Sequence, residues 1–157
     1  MVTRESTERE EEGTEEGLNA ISGAIIGAAI QVHRALGPGL LESAYQACLE
    51  REVVERGHRV ERQRSFPIVY KGTMIRQVYR PDMVVDSRVL VEIKAVAHLL
   101  PVHEAQILSY LRLASLPLGL LINFHHATLK AGIRRFRFSP SVPSSPLCAL
   151  NEPNKRR

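Results

Sequence analysis

RVLVEIKAV, residues 88–96, has the composition of a buried β-strand and yet carries Glu92 and Lys94 at its middle. Strand alternation puts Val89, Val91, Ile93 and Ala95 on one face and Leu90, Glu92, Lys94 and Val96 on the other. Both faces are apolar at their ends, the pattern of an inner strand covered on both sides. Taking an ion out of water into such a layer costs several kcal/mol unless it is paired. The two charges therefore need partners.

Upstream, Asp86-Ser87-Arg88 reads as a turn, and a hairpin centred on Ser87 sets Asp82 opposite Glu92 on the same face of the sheet. Facing carboxylates, with Cβ atoms about 4.5–5.5 Å apart, repel each other unless a cation lies between them. Oxygen ligands select a hard divalent ion, Mg²⁺ or Mn²⁺, which keeps several waters and accepts substrate phosphates as further ligands. Lys94 points to the same place and suits positioning a water or stabilising charge on a phosphate. An isolated E-x-K is usually a surface ion pair worth about 0–1 kcal/mol, so the argument rests on Asp82 and on the hairpin register.

The flanking segments complete an α/β pattern. Apolar residues recur at helical spacing from residue 18 to 36 and stop at Gly37-Pro38-Gly39; a second helix carries Leu41, Tyr45, Cys48, Leu49 and Val53 on one stripe and stops at Gly57. Two strands follow, 59–70 and 73–85, joined by a turn at Lys71-Gly72, and with 89–96 they form an antiparallel meander. Pro101 opens a helix to about Ser115, and LPLGLLIN and GIRRFRF supply the last strands. The expected order is ααβββαββ, a mixed sheet flanked by helices.

At 157 residues and 44% apolar, the chain is about one domain's worth. Three regions are expected: a disordered acidic tail, 1–17, a folded domain, 18–138, and a flexible Pro/Ser-rich tail, 139–157. The acidic tail holds seven Glu against two Arg, so a total of +4 leaves +9 on the remainder, a charge that favours a polyanionic partner. No run approaches the length of a membrane span, no secretory signal is visible, and Cys48 and Cys148 form no disulfide framework or CxxC knuckle; the expectation is a cytoplasmic protein with no membrane partner.

Two further pairs of residues are ordinary in isolation. Glu42, in GLLESAY (39–45), complements a helix dipole, and Tyr45 packs in the core. Gln106 and Tyr110 share a face of the third helix. Taken with VHRALGPG, RPDMVVD, VEIK, VHEAQILSYL and GLLINF, however, they resemble the GxxExxY proteins, a RecB-like branch of the PD-(D/E)XK nuclease superfamily, over about residues 20–138. The resemblance implies a restriction-endonuclease-like core and a Mg²⁺-dependent (or Mn²⁺-dependent) nuclease acting on DNA, or less favourably RNA. It implies that Asp82 and Glu92 are metal ligands, that Lys94 is the catalytic lysine, and that Glu42 is a helical acid holding a water or a second ion. Gln106 and Tyr110 match a Q-x-x-x-Y motif in which the glutamine steadies the lysine or substrate and the tyrosine faces the cleft.

Arg59, Arg62, Arg64, Arg80, Arg134, Arg135 and Arg137 are candidates for backbone contacts to a nucleic acid. The competing reading is a non-catalytic module that keeps the fold to bind nucleic acid or protein. A third reading, with His98, His103, His125 and His126 as transition-metal ligands, lacks the spacing of a closed zinc site.

Overall fold

A computed structural model describes the backbone of residues 4–139, and the side chains of 14–139 other than 77 and 78. The expected tail 139–157 lies outside the described residues apart from its first. Helices α1 (Arg4–Leu36) and α2 (Glu42–Glu55) precede strands β1 (Val60–Arg62), β2 (Phe66–Tyr70), β3 (Thr73–Tyr79), β4 (Met83–Val85) and β5 (Val89–Lys94). Helix α3 (Pro101–Ala114), strand β6 (Leu118–Asn123), a 3₁₀ turn (Leu129–Gly132) and β7 (Ile133–Arg137) follow.

The main sheet runs β1-β4-β5-β6-β7, which places the strand carrying Glu92 at its centre. β5 pairs antiparallel with β4 and parallel with β6, and α3 provides the crossover that a parallel neighbour requires. Val89, Val91 and Ile93 join a core with Ile25, Val32, Tyr45 and Leu49 of α1 and α2. On the opposite face, Leu90 packs with Val84, Leu121 and, from α3, Ile107 and Leu111. β5 is thus covered on both sides, and the layers form a restriction-endonuclease-like α/β fold.

Two expectations need correction. The strands 59–70 and 73–85 are each broken, and no three-stranded meander forms. β1 pairs with β4 in the main sheet, while β2 and β3 make a separate two-stranded ribbon. Gln63 adopts a left-handed conformation (φ 44°) that ends β1, and Pro81, with no N–H to give a ladder, separates β3 from β4. The first helix also starts earlier than residue 18, at Arg4. Glu and Arg are good helix formers, and the segment meets the body where Arg137 pairs with Glu15 at 2.5 Å and Arg88 donates to the Thr14 carbonyl. Among the described residues, no helix is long and apolar enough to cross a membrane.

The chain leaving β5 is held by Asn123 at the end of β6. Its fully buried amide donates to the Val96 carbonyl (2.8 Å) and accepts from the Val96 N–H (3.0 Å). Gly132 lies against this junction, so close that an added Cβ would stand 2.3 Å from the Asn123 carbonyl oxygen. Backbone against backbone cannot rotate away. Gly132→Ala is therefore expected to cost about 3 kcal/mol of stability, read as a lower urea midpoint with unchanged slope.

Candidate active site

The β4–β5 hairpin turns through Asp86 and Ser87, both in left-handed conformation (φ 51° and 55°), and Arg88 N–H closes it on the Val85 carbonyl at 3.0 Å. The register Met83↔Val91 follows, so Asp82 and Glu92 come next along the two strands. The ladder ends at Met83, and Asp82 Oδ2 instead accepts the Ile93 N–H at 2.7 Å, which ties its carboxylate to the edge of β5.

Glu92 is only 4% exposed. Its Oε1 accepts from Lys94 Nζ at 3.2 Å, while its Oε2 is buried with no hydrogen-bond partner. Burial, reinforced by the charge of Asp82 and only partly offset by Lys94, pushes the Glu92 carboxyl up to about 7. Asp82 is also raised, chiefly by burial, against the opposing pull of the Ile93 N–H and Lys94. Burial works to lower Lys94, but Glu92, Glu42 and Asp82 outweigh it and hold the ammonium above its usual range. The group is thus a cation at neutral pH.

Glu42 is the first residue of α2 and is exposed; its charge acts on both Asp82 and Lys94. What places it there is Tyr45, whose fully buried ring stacks on Phe124 at 4.4 Å. The Tyr45 hydroxyl donates to the Gly37 carbonyl (2.6 Å) and accepts the Leu40 N–H (3.1 Å), clamping the loop that enters the helix. Gly37 and Gly39 supply the positive φ that this loop needs. Tyr45→Phe keeps the ring and strands both partners, and is expected to cost about 1–3 kcal/mol in thermal or urea unfolding.

On α3, Gln106 Nε2 donates to the Tyr110 hydroxyl at 2.7 Å, so the phenol proton is left to point elsewhere. Burial raises Tyr110, the Gln106 bond opposes this, and the charges of Glu92 and Lys94 are felt at the ring. Gln106 makes its bond to Tyr110 rather than to Lys94. Further down the helix stripe, His103 caps α3 by accepting the Leu100 N–H at 3.0 Å.

Three residues near the site escaped the sequence reading. Gln46 donates to the Asp82 carbonyl at 3.1 Å; it lies one helical turn after Glu42, and that i,i+4 spacing was the available signal. Tyr79 meets Tyr110 edge to face at 5.1 Å and stands just before Arg80-Pro81-Asp82. Asn123 is the polar residue that ends the apolar run LGLLIN. The arginines singled out earlier are largely engaged elsewhere: Arg62 with Glu50, Arg64 with Glu61, Arg135 with Asn19, Arg137 with Glu15 and Arg134 with backbone carbonyls.

Among the described residues no three His, Cys, Asp or Glu side chains gather as a metal cluster. The charge of Asp82 acts on Glu92, and that of Glu42, at the exposed start of α2, acts on Asp82. The pair Asp82 and Glu92 nonetheless fits a divalent cation: the charge of Asp82 raises the proton affinity of the buried Glu92 carboxylate, and one oxygen of that carboxylate lacks any donor. A central strand with an Asp-facing E-x-K, covered by helices on both faces, defines a nuclease-type α/β domain. A model of the PD-(D/E)XK nuclease superfamily matches residues 19–136, and the chain belongs to that superfamily. No curated protein and no solved structure matches the chain.

Proposed function

We infer that the chain is a metal-dependent nuclease that hydrolyses phosphodiester bonds in DNA, with Mg²⁺ or Mn²⁺ held by Asp82 and Glu92. The observation that carries this reading is the buried Glu92 carboxylate, its Oε2 without a donor and its Oε1 on the Lys94 ammonium. When bound, the cation neutralises the carboxylate pair, polarises the phosphate and acidifies water. Lys94, kept protonated by three carboxylates, donates to a non-bridging phosphate oxygen and stabilises the charge that grows there. The Tyr110 hydroxyl, its oxygen already accepting from Gln106, is a donor on the cleft wall. Glu42 serves as the auxiliary acid that holds a water or a second ion at the entrance. The GxxExxY and RecB-like likenesses of the motifs agree with these roles.

Cleavage of supercoiled plasmid and labelled oligonucleotides, with Mg²⁺, Mn²⁺ or EDTA, tests the reading on wild type and Asp82→Ala. Cutting is expected only with metal and only by wild type. Equal cutting by both proteins would assign it to a contaminant. Salt-sensitive binding with no cutting under either metal would replace the enzyme by a binding module that keeps the fold.

A further inference from the structure

Apart from Tyr79 at its base, the β2–β3 ribbon contributes no residue to the site just described. It is anchored at its base, where Phe66 is buried in the core beneath α3 and Tyr79 meets Tyr110. Beyond the base it stands clear of the body, because every residue from Tyr70 to Arg76 is exposed although successive strand residues face opposite ways. A two-stranded ribbon bare on both faces gains little from folding on its own. Exposing Tyr70 (57%), Met74 (48%) and Ile75 (43%) there is a further cost.

Its charge is one-sided. From Phe66 to Tyr79 the chain has no acidic residue and two cations, Lys71 and Arg76, whereas Arg62 and Arg64, outside the ribbon, are paired with Glu50 and Glu61. The tip is a two-residue turn in which Lys71 (φ 48°) and Gly72 (φ 75°) are both left-handed, between the paired residues Tyr70 and Thr73. Such turns favour Asn-Gly or Gly-Gly, so a lysine at the first position is locally unfavourable and puts a cation at the outermost point of the arm. The same field opposes edge-to-edge pairing of this ribbon with a second copy of the chain.

We propose that the β2–β3 ribbon is a DNA-binding arm that enters the major groove of a duplex, Lys71 and Arg76 contacting phosphates while Tyr70, Met74 and Ile75 lie against the groove. The major groove admits a two-stranded ribbon, and its flanking phosphates match the charge. β3 leads through Arg80-Pro81 directly to Asp82, so the arm joins the candidate metal site by the shortest covalent route. At about 3.3 Å per residue the strand reaches roughly 20 Å, about six base steps to one side of the cut. The inference rests on the nuclease reading for its substrate class alone.

The test is fluorescence anisotropy on the full chain in EDTA, with duplex and single-stranded DNA of the same sequence over a salt series. It compares wild type, Lys71→Asn with Arg76→Gln, and Tyr70→Ala. Lys71→Asn installs the preferred turn residue, so the double variant is expected to melt no lower than wild type, yet to bind duplex about tenfold more weakly with a salt slope smaller by about 2. Tyr70→Ala is expected to weaken binding without changing the slope. Wild-type affinity and slope in the double variant would overturn the arm while leaving cleavage, measured as above, intact. Tighter binding of single strands than of duplex would overturn the groove assignment. No binding of DNA by wild type, together with no cutting, would sink the arm and the nuclease reading alike.

Discussion

Lys94→Ala is expected to lower the rate of metal-dependent cleavage by about 10³-fold while leaving the metal-induced rise in melting temperature in place. The two readouts separate because the lysine touches the metal ligand without being one. Its ammonium lies 3.2 Å from Glu92 Oε1, and the charges of Glu92, Glu42 and Asp82 hold it protonated. Removing it takes away a preorganised donor to the phosphate and leaves both carboxylates where the hairpin and the Ile93 N–H put them. Lys94→Arg keeps the charge but not its compact shape, and should restore only part of the rate. If Lys94→Ala cut as fast as wild type, the ammonium would be a neutralising counterion and nothing more. Loss of the metal-induced shift in the same variant would make it part of the binding site.

Glu92→Gln is expected to stabilise the metal-free protein, and by an amount that depends on pH. The unfolded chain gives up the Glu92 proton near the ordinary value of 4.5, whereas the folded chain keeps it to about 7. Between those values the folded state binds more protons. The stability present below pH 4.5 is therefore lost as pH rises through about 7, and the slope vanishes above that. Glutamine imitates the protonated form throughout, so the variant should match wild type in acid and exceed it by about 3 kcal/mol on the alkaline side of the transition, as judged by urea unfolding in EDTA. Added Mn²⁺ should reverse the order, raising the melting temperature of wild type and not of the variant. A pH-independent difference would mean that the Glu92 carboxyl titrates normally, with water reaching its buried oxygen. The instability is a cost borne by the apo protein for a site shaped to hold a cation.

The expected centre of the fold was legible because β-strands carry a two-residue period and a hairpin has few registers. Val89 to Ile93 announced a doubly covered strand, and the turn at Asp86 and Ser87 gave the observed pairing of Met83 with Val91. The start of α2 and the helix break before it were equally clear, since glycines and a proline mark them. Less was legible around them. The runs 59–70 and 73–85 look continuous because Val, Ile and Tyr favour any strand, and which strand pairs with which depends on contacts distant in sequence. Gln63 carries no local mark of its left-handed backbone.

The separation is sharpest at the site. Asp82, Glu92 and Lys94 could be brought together from sequence alone, because local hairpin geometry relates them. The sequence by itself determined the class of domain and this charged trio. Only the tertiary structure decided that Tyr45 clamps the loop before Glu42, that Gln106 spends its amide on Tyr110, that the Glu42 charge acts on Asp82 and Lys94 and that the ribbon projects from the body. The physical reason is range: strand alternation and turn closure act over a few residues, whereas burial and charge coupling are set by elements that meet only when the chain has folded.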